Sequence, residues 1–126
     1  MQPVLLVDDD CGSTEALGLY LQLFDVASVA VPTGLGALEL LRSGFRPGVI
    51  VLDLMMPELD GFGFRAAQLA DGELAAIPVI ICSAGYEART VAERLGVAAF
   101  LPKPVRPPEL LQTIRRVGGS SSPGDC

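Results

Sequence analysis

The sequence predicts an α/β fold: a doubly wound sheet of five parallel strands with helices on both faces. Three observations carry this. Short aliphatic runs such as VLLV (Val4–Val7), VIVL (Val49–Leu52) and VIIC (Val79–Cys82) show no polar alternation, as expected of strands buried on both faces. Each run is followed by turn residues and then an amphipathic stretch, at about the spacing of a βαβ repeat. The polar residues that end the runs are chemically reactive, and open parallel sheets place their ligands at that edge.

Taken in order, Val4–Val7 is the first strand and ends in Asp8-Asp9-Asp10. Acids are favourable at a helix N-terminus, with Ser13 or Thr14 as cap. Thr14–Phe24 then reads as a helix with Leu17, Tyr20, Leu21 and Phe24 on one face and Leu19 and Leu23 off it. Val26–Val31 is the second strand, and Pro32-Thr33-Gly34 leads to a short helix over Ala37–Arg42. Pro47 opens the central strand, whose tip is Asp53; Met-Met-Pro and Asp60-Gly61 turn the chain there. A third helix over about Phe62–Leu69 closes at Asp71-Gly72, and Pro78 precedes the fourth strand, which runs into Ser83-Ala84-Gly85. A fourth helix, Glu87–Leu95, stops at Gly96 in the C′ role. Val97–Leu101 is the fifth strand, followed by Pro102-Lys103-Pro104 and a last helix, Pro107–Val117. Gly118–Cys126 (GGSSSPGDC) has nothing to bury and reads as a flexible tail or the start of a linker, so residues 1–117 form a single domain.

Composition narrows the function. The chain has 126 residues, 50% of them hydrophobic, enough for one core. A net charge of −6 argues against nonspecific nucleic-acid binding, which needs Lys and Arg to neutralise phosphates. The apolar runs fall well short of the ~20 residues a spanning helix needs, and no signal peptide precedes the first strand, so a cytoplasmic protein is expected. Cys11, Cys82 and Cys126 lack the spacing of a disulfide framework; Cys82 reads as buried filler and Cys11 as a loop residue beside the acids. With no histidine, a His-based triad or His-ligated metal site is impossible.

A parallel sheet delivers every strand end to one edge. Here that edge receives Asp8, Asp9 and Asp10, then Asp53, Ser83 and Lys103. If the strand order is 2-1-3-4-5, strands one and three are neighbours and their acids share one cleft. Clustered carboxylates call for a cation, and Mg²⁺ with oxygen ligands suits them. With a hydroxyl and an ammonium added, the set suits phosphoryl transfer, with Asp53 as the nucleophile.

These residues resemble a response-regulator receiver domain, similar to the bacterial chemotaxis receiver with its flavodoxin-like fold. The match rests on Asp8-Asp9 after VLLV, Asp53 in VIVLDLMMPELDG, Ser83-Ala84 after VIIC and Lys103-Pro104 in FLPKP, and it spans essentially Pro3–Val117. The resemblance implies that Asp53 accepts a phosphoryl group from a histidine kinase or histidine phosphotransfer protein. It implies that Asp9, Asp53 and the Met55 carbonyl ligate Mg²⁺, with Asp8 acting through water. Ser83 and Lys103 would hold the phosphoryl oxygens, Lys103-Pro104 would be cis, and Phe100 would swing inward as Ser83 moves. Enzymatic activity would be confined to the chain's own phosphorylation and dephosphorylation.

Some positions depart from the usual pattern. Met55 and Gly85 stand where the family varies the access of water to the acyl phosphate, and neither can orient an attacking water. Ala98-Ala99 replaces the acids that a common subclass uses for an ion-paired dimer, which argues against that dimer. Leu19 and Leu23 form an i, i+4 apolar stripe, a candidate docking surface for the phosphodonor or a second copy. Two other readings compete: a docking module that is never phosphorylated, and an aspartate-nucleophile phosphohydrolase using Asp8-x-Asp10. The complete set of Asp8, Asp9, Asp53, Ser83 and Lys103 argues against the first. Gly12 and the lack of a cap domain argue against the second. Output would pass through protein contacts on the face of the fourth helix, fifth strand and last helix.

Overall fold

The computed structural model describes residues 2–54, 60–85 and 87–118. The aliphatic runs form β1 (Val4–Val7), β2 (Ser28–Val31), β3 (Val49–Leu52), β4 (Val79–Ser83) and β5 (Ala99–Pro102). All neighbours pair in parallel, in the order β2-β1-β3-β4-β5 expected from the sequence. The helices are α1 (Cys11–Leu23), α2 (Gly34–Arg42), α3 (Gly61–Leu69), α4 (Gly72–Ala75), α5 (Ala88–Arg94) and α6 (Pro107–Val117).

Alternation along the strands splits the core into two layers. Leu5, Val7, Ile50, Leu52, Val79 and Ile81 pack against α2, α3, α4 and α5 through residues such as Leu38, Phe64, Leu74 and Ala92. Val4, Leu6, Val49, Val51, Ile80 and Cys82 face the opposite way, against Leu21 of α1 and Leu110, Leu111 and Ile114 of α6. The three central strands are therefore buried at every position, and apolar at all but Ser83 at the tip of β4, which is why their sequences show no alternation.

The element ends differ from the sequence reading in instructive places. Helix α1 begins at Cys11, not Thr14, because Asp10 is its cap: the Asp10 carboxylate accepts from the Ser13 amide. At its other end Asp25 takes φ +63° and the Val26 amide donates to the Leu21 carbonyl. Val26 is thus spent on closing the helix, and β2 starts at Ser28. Phe24, expected on the buried face, is the C-cap and is exposed, resting on Tyr20. Thr33 caps α2 through the Gly36 amide, so that helix starts at Gly34 and not at Ala37. Asp71 caps the additional single turn α4 where the sequence reading closed a helix, giving six helices among the described residues and not five. Helix α5 begins at Ala88, and Val97 and Ala98 complete the turn after Gly96 (φ +68°) before β5 starts. Gly118 is the C-cap of α6, its amide donating to the Ile114 carbonyl, and the rest of the expected tail, residues 119–126, lies outside the described residues.

Candidate functional site

Strand register builds the site. Val7 pairs with Leu52, so Asp8 and Asp53 leave adjacent strands side by side. The backbone ladder continues one residue past the strands: the Asp53 amide donates to the Val7 carbonyl, Asp8 to Val31 and Lys103 to Ser83. The Lys103–Pro104 peptide is cis, as the resemblance implies. Asp53 is 6% exposed and Ser83 2%, whereas Asp9 lies open to solvent.

Lys103 ties the carboxylates together, its Nζ lying 2.6 Å from Asp8 Oδ2 and 3.1 Å from Asp53 Oδ2. Ser83 Oγ donates to Asp53 Oδ1 at 3.3 Å, so in this state the hydroxyl is engaged by the acid itself. The Asp10 amide holds Asp8 Oδ1 at 3.0 Å. Asp10 itself turns away to cap α1, where the Ser13 amide and hydroxyl hold its carboxyl below the ordinary carboxylate range.

Burial works against the charged Lys103 ammonium, but the hydrogen bonds and charges of Asp8 and Asp53 outweigh it and raise its pKa above the ordinary 10.5. A lysine with a raised folded-state pKa stabilises the fold fully below its unfolded pKa and loses that contribution as pH rises through the folded value. The difference in urea midpoint between the wild type and Lys103→Met is therefore expected to stay constant on the neutral side of pH 10.5 and to shrink only above it.

Asp8, Asp9 and Asp53 each offer a carboxylate oxygen, and these oxygens lie within 4.8 Å of one another. Among the described residues three clustered acids share the Lys103 ammonium, and an all-oxygen set with one exposed member suits a hard dication that keeps waters. Met55, assigned as a carbonyl ligand, lies outside the described residues.

Beneath the acids a cavity of about 200 Å³ runs between α1 and the start of α6, floored by Leu6, Val51 and Cys82. Burial pushes the Cys82 thiol up to about 12, so it is an inert core residue, whereas Cys11 is exposed. Gly85 holds φ +116° with open space around it, a conformation that favours glycine beside Ser83.

Phe100 is half-buried against the α5 layer, with the Arg89 guanidinium 5.0 Å from its ring centroid. Leu19 and Leu23 do project from α1, at 62% and 78% exposure.

Two contributors escaped sequence reasoning. Gly61, read as part of a turn, is the first residue of α3 and sits against the backbone just past β3: a Cβ there would lie 2.7 Å from Leu54 Cα and 3.0 Å from the Asp53 carbonyl oxygen. Arg65 and Gln68 of the same helix are buried and hydrogen-bonded to one another at 2.8 Å. Only the polar pair at i, i+3 within an otherwise apolar helix face hinted at them.

Comparison with known proteins matches this geometry. Residues 4–115 match the family described as response regulator receiver domain. The response regulator MprA of Mycobacterium sp. (strain KMS) is 31% identical over 122 residues, which cover 97% of this chain and 53% of that protein. The chain thus spans about half the length of that relative. The signal receiver domain of a signal transduction histidine kinase from Syntrophus aciditrophicus has a similar structure, with TM-score 0.87, 26% identity and coverage of 98% of this chain and 94% of that one. Vibrio cholerae chemotaxis protein CheY4 is similar at TM-score 0.82 and 28% identity, covering 93% of this chain and 98% of its own.

Proposed function

Because this chain belongs to the response-regulator receiver family, we propose that it accepts a phosphoryl group on Asp53 from a histidine kinase or histidine phosphotransfer protein in a cytoplasmic phosphorelay. The observation that carries this reading is the convergence of Asp8, Asp9, Asp53, Ser83 and Lys103 at one sheet edge. An Asp53 carboxylate oxygen attacks phosphorus, the bond from phosphorus to the donor nitrogen breaks, and its electron pair leaves with the imidazole.

Lys103 is placed to move from the carboxylates to an incoming phosphoryl oxygen, and Ser83 can turn its hydroxyl from Asp53 to another. Asp9 and Asp53, with the Met55 carbonyl and Asp8 through water, would hold Mg²⁺. Bound there, the ion supplies positive charge that offsets the phosphoryl oxygens and the clustered acids. Release of Asp53 by Ser83 lets Phe100 move, which changes the face made by α5, β5 and α6, the surface for an output protein or domain. In this reading residues 1–117 are the receiver unit and 118–126 a tail or linker. Its catalysis is limited to its own phosphorylation and dephosphorylation. Water access past Met55 and Gly85, together with any partner phosphatase, sets the lifetime of the phosphorylated form. The exposed Leu19–Leu23 stripe is a further docking surface, for the donor or for a second copy.

Intact mass after incubation with acetyl phosphate tests the reading. One phosphoryl group is expected on the wild type with Mg²⁺, and none on Asp53→Asn or in EDTA. A folded chain that gains nothing under any of these conditions would instead be a docking module that works without phosphorylation.

A further inference from the structure

The buried pair on α3 joins the site to a distant element. Arg65 Nε donates to the Leu95 carbonyl at 3.1 Å and Nη2 to the Gly96 carbonyl at 3.0 Å, capping the C-terminal end of α5. Helix ends leave their last carbonyls without intrahelical partners, and a guanidinium fork fits two of them at once. Gln68 completes the assembly, accepting from Arg65 Nη1 and donating to the Leu74 and Ile77 carbonyls at 2.9 and 3.0 Å. Arg65 is 8% exposed and Gln68 0%, so any slippage leaves dry polar groups unpaired, and the geometry is sharply held.

One turn earlier on the same face, α3 is anchored at its other end. The Gly61 amide donates to the Leu54 carbonyl at 3.0 Å, and the missing side chain lets the helix seat directly on the Asp53–Leu54 backbone. Between Gly61 and Arg65 the helix is a short strut with a tight contact at each end. Beyond the second contact, α5 carries Arg89, which covers Phe100.

We infer that Arg65 is a positioning residue that couples the backbone of Asp53 to the C-terminal end of α5, a second route to the α5–β5 face beside that of Ser83 and Phe100. The coupling rests on the proposal that Asp53 is the phosphoacceptor. Displacement of the Asp53–Leu54 backbone moves α3, and the buried guanidinium passes that movement to Leu95 and Gly96 instead of letting it dissipate. A merely structural tie would hold α3 and α5 together without making α5 respond to the state of Asp53.

Amide hydrogen exchange of residues 88–96, measured with and without acetyl phosphate and Mg²⁺, separates the two roles, with intact mass reporting phosphorylation in each sample. Phosphorylation of the wild type is expected to change exchange in this segment. Arg65→Leu should still take the phosphoryl group while the change falls at least threefold. Gln68→Leu, which breaks the tie to α4 but leaves both carbonyl bonds of Arg65, should keep the change. Arg65→Lys, able to keep one carbonyl bond, should give an intermediate response and serves if Arg65→Leu does not fold. The coupling is overturned if the Arg65 variants respond as the wild type does, or if Arg65→Leu and Gln68→Leu lose the response equally. A wild-type chain that gains no phosphoryl group overturns the phosphorylation reading and the coupling together, an outcome the mass alone identifies.

Discussion

Lys103→Met is expected to abolish phosphoryl transfer to Asp53 and, without Mg²⁺, to destabilise the fold by about 2 kcal/mol. Methionine keeps the apolar stem and removes only the ammonium that lies 2.6 Å from Asp8 and 3.1 Å from Asp53. Breaking a fully buried pair by removing one partner costs about 3–5 kcal/mol. The Lys103 side chain is 28% exposed, so water recovers part of that. In a domain of this size about 2 kcal/mol corresponds to a fall of roughly 8 °C in Tm. Mg²⁺ should restore more Tm in the variant than it adds to the wild type, because it supplies charge where the ammonium is missing. Phosphorylation should nevertheless stay absent by intact mass, since in the proposed mechanism the phosphoryl oxygen is met by Lys103 and the metal does not replace it. Equal Mg²⁺ responses in the two proteins would show that Lys103 and the ion do not share the acid cluster.

Gly61→Ala should lower stability by about 2 kcal/mol and slow phosphorylation by acetyl phosphate at the same time. Alanine is intrinsically the better helix residue, by about 1 kcal/mol over glycine. At Gly61 that gain is overridden, because the new methyl would meet backbone at 2.7 Å and 3.0 Å, and backbone cannot rotate aside. Gly72→Ala is the control. Gly72 also opens a helix, but a Cβ there meets nothing within 4 Å, so its change should be neutral or slightly stabilising. Urea denaturation of the two variants gives the contrast directly.

What the sequence revealed and what it hid follow from how far each signal reaches along the chain. The central strands were readable because burial on both faces leaves their aliphatic runs without polar alternation, and Asp53, Ser83 and Lys103 were readable because each comes at or just past the end of such a run. The start of α1 was not, since three consecutive aspartates look alike until backbone dihedrals decide that Asp10 is the cap. Helix α4, at four residues, is too short to show a period. The ties of Arg65 depend on carbonyls thirty residues further on, and carbonyls carry no signature in sequence. Gly61 carried a signal of the wrong kind: Asp-Gly reads as a turn, whereas here glycine marks a close approach of helix to strand.

The ion pair of Lys103 with Asp8 joins residues 95 positions apart, and Asp53 meets Ser83 across 30. No local segment therefore holds the full set of site residues. A chain emerging from the ribosome carries Asp53 long before it carries Lys103, and through that interval the carboxylate lacks its ammonium and hydroxyl partners. Under the proposed phosphoryl transfer, Asp53 therefore becomes competent only once β1, β3, β4 and β5 have come together.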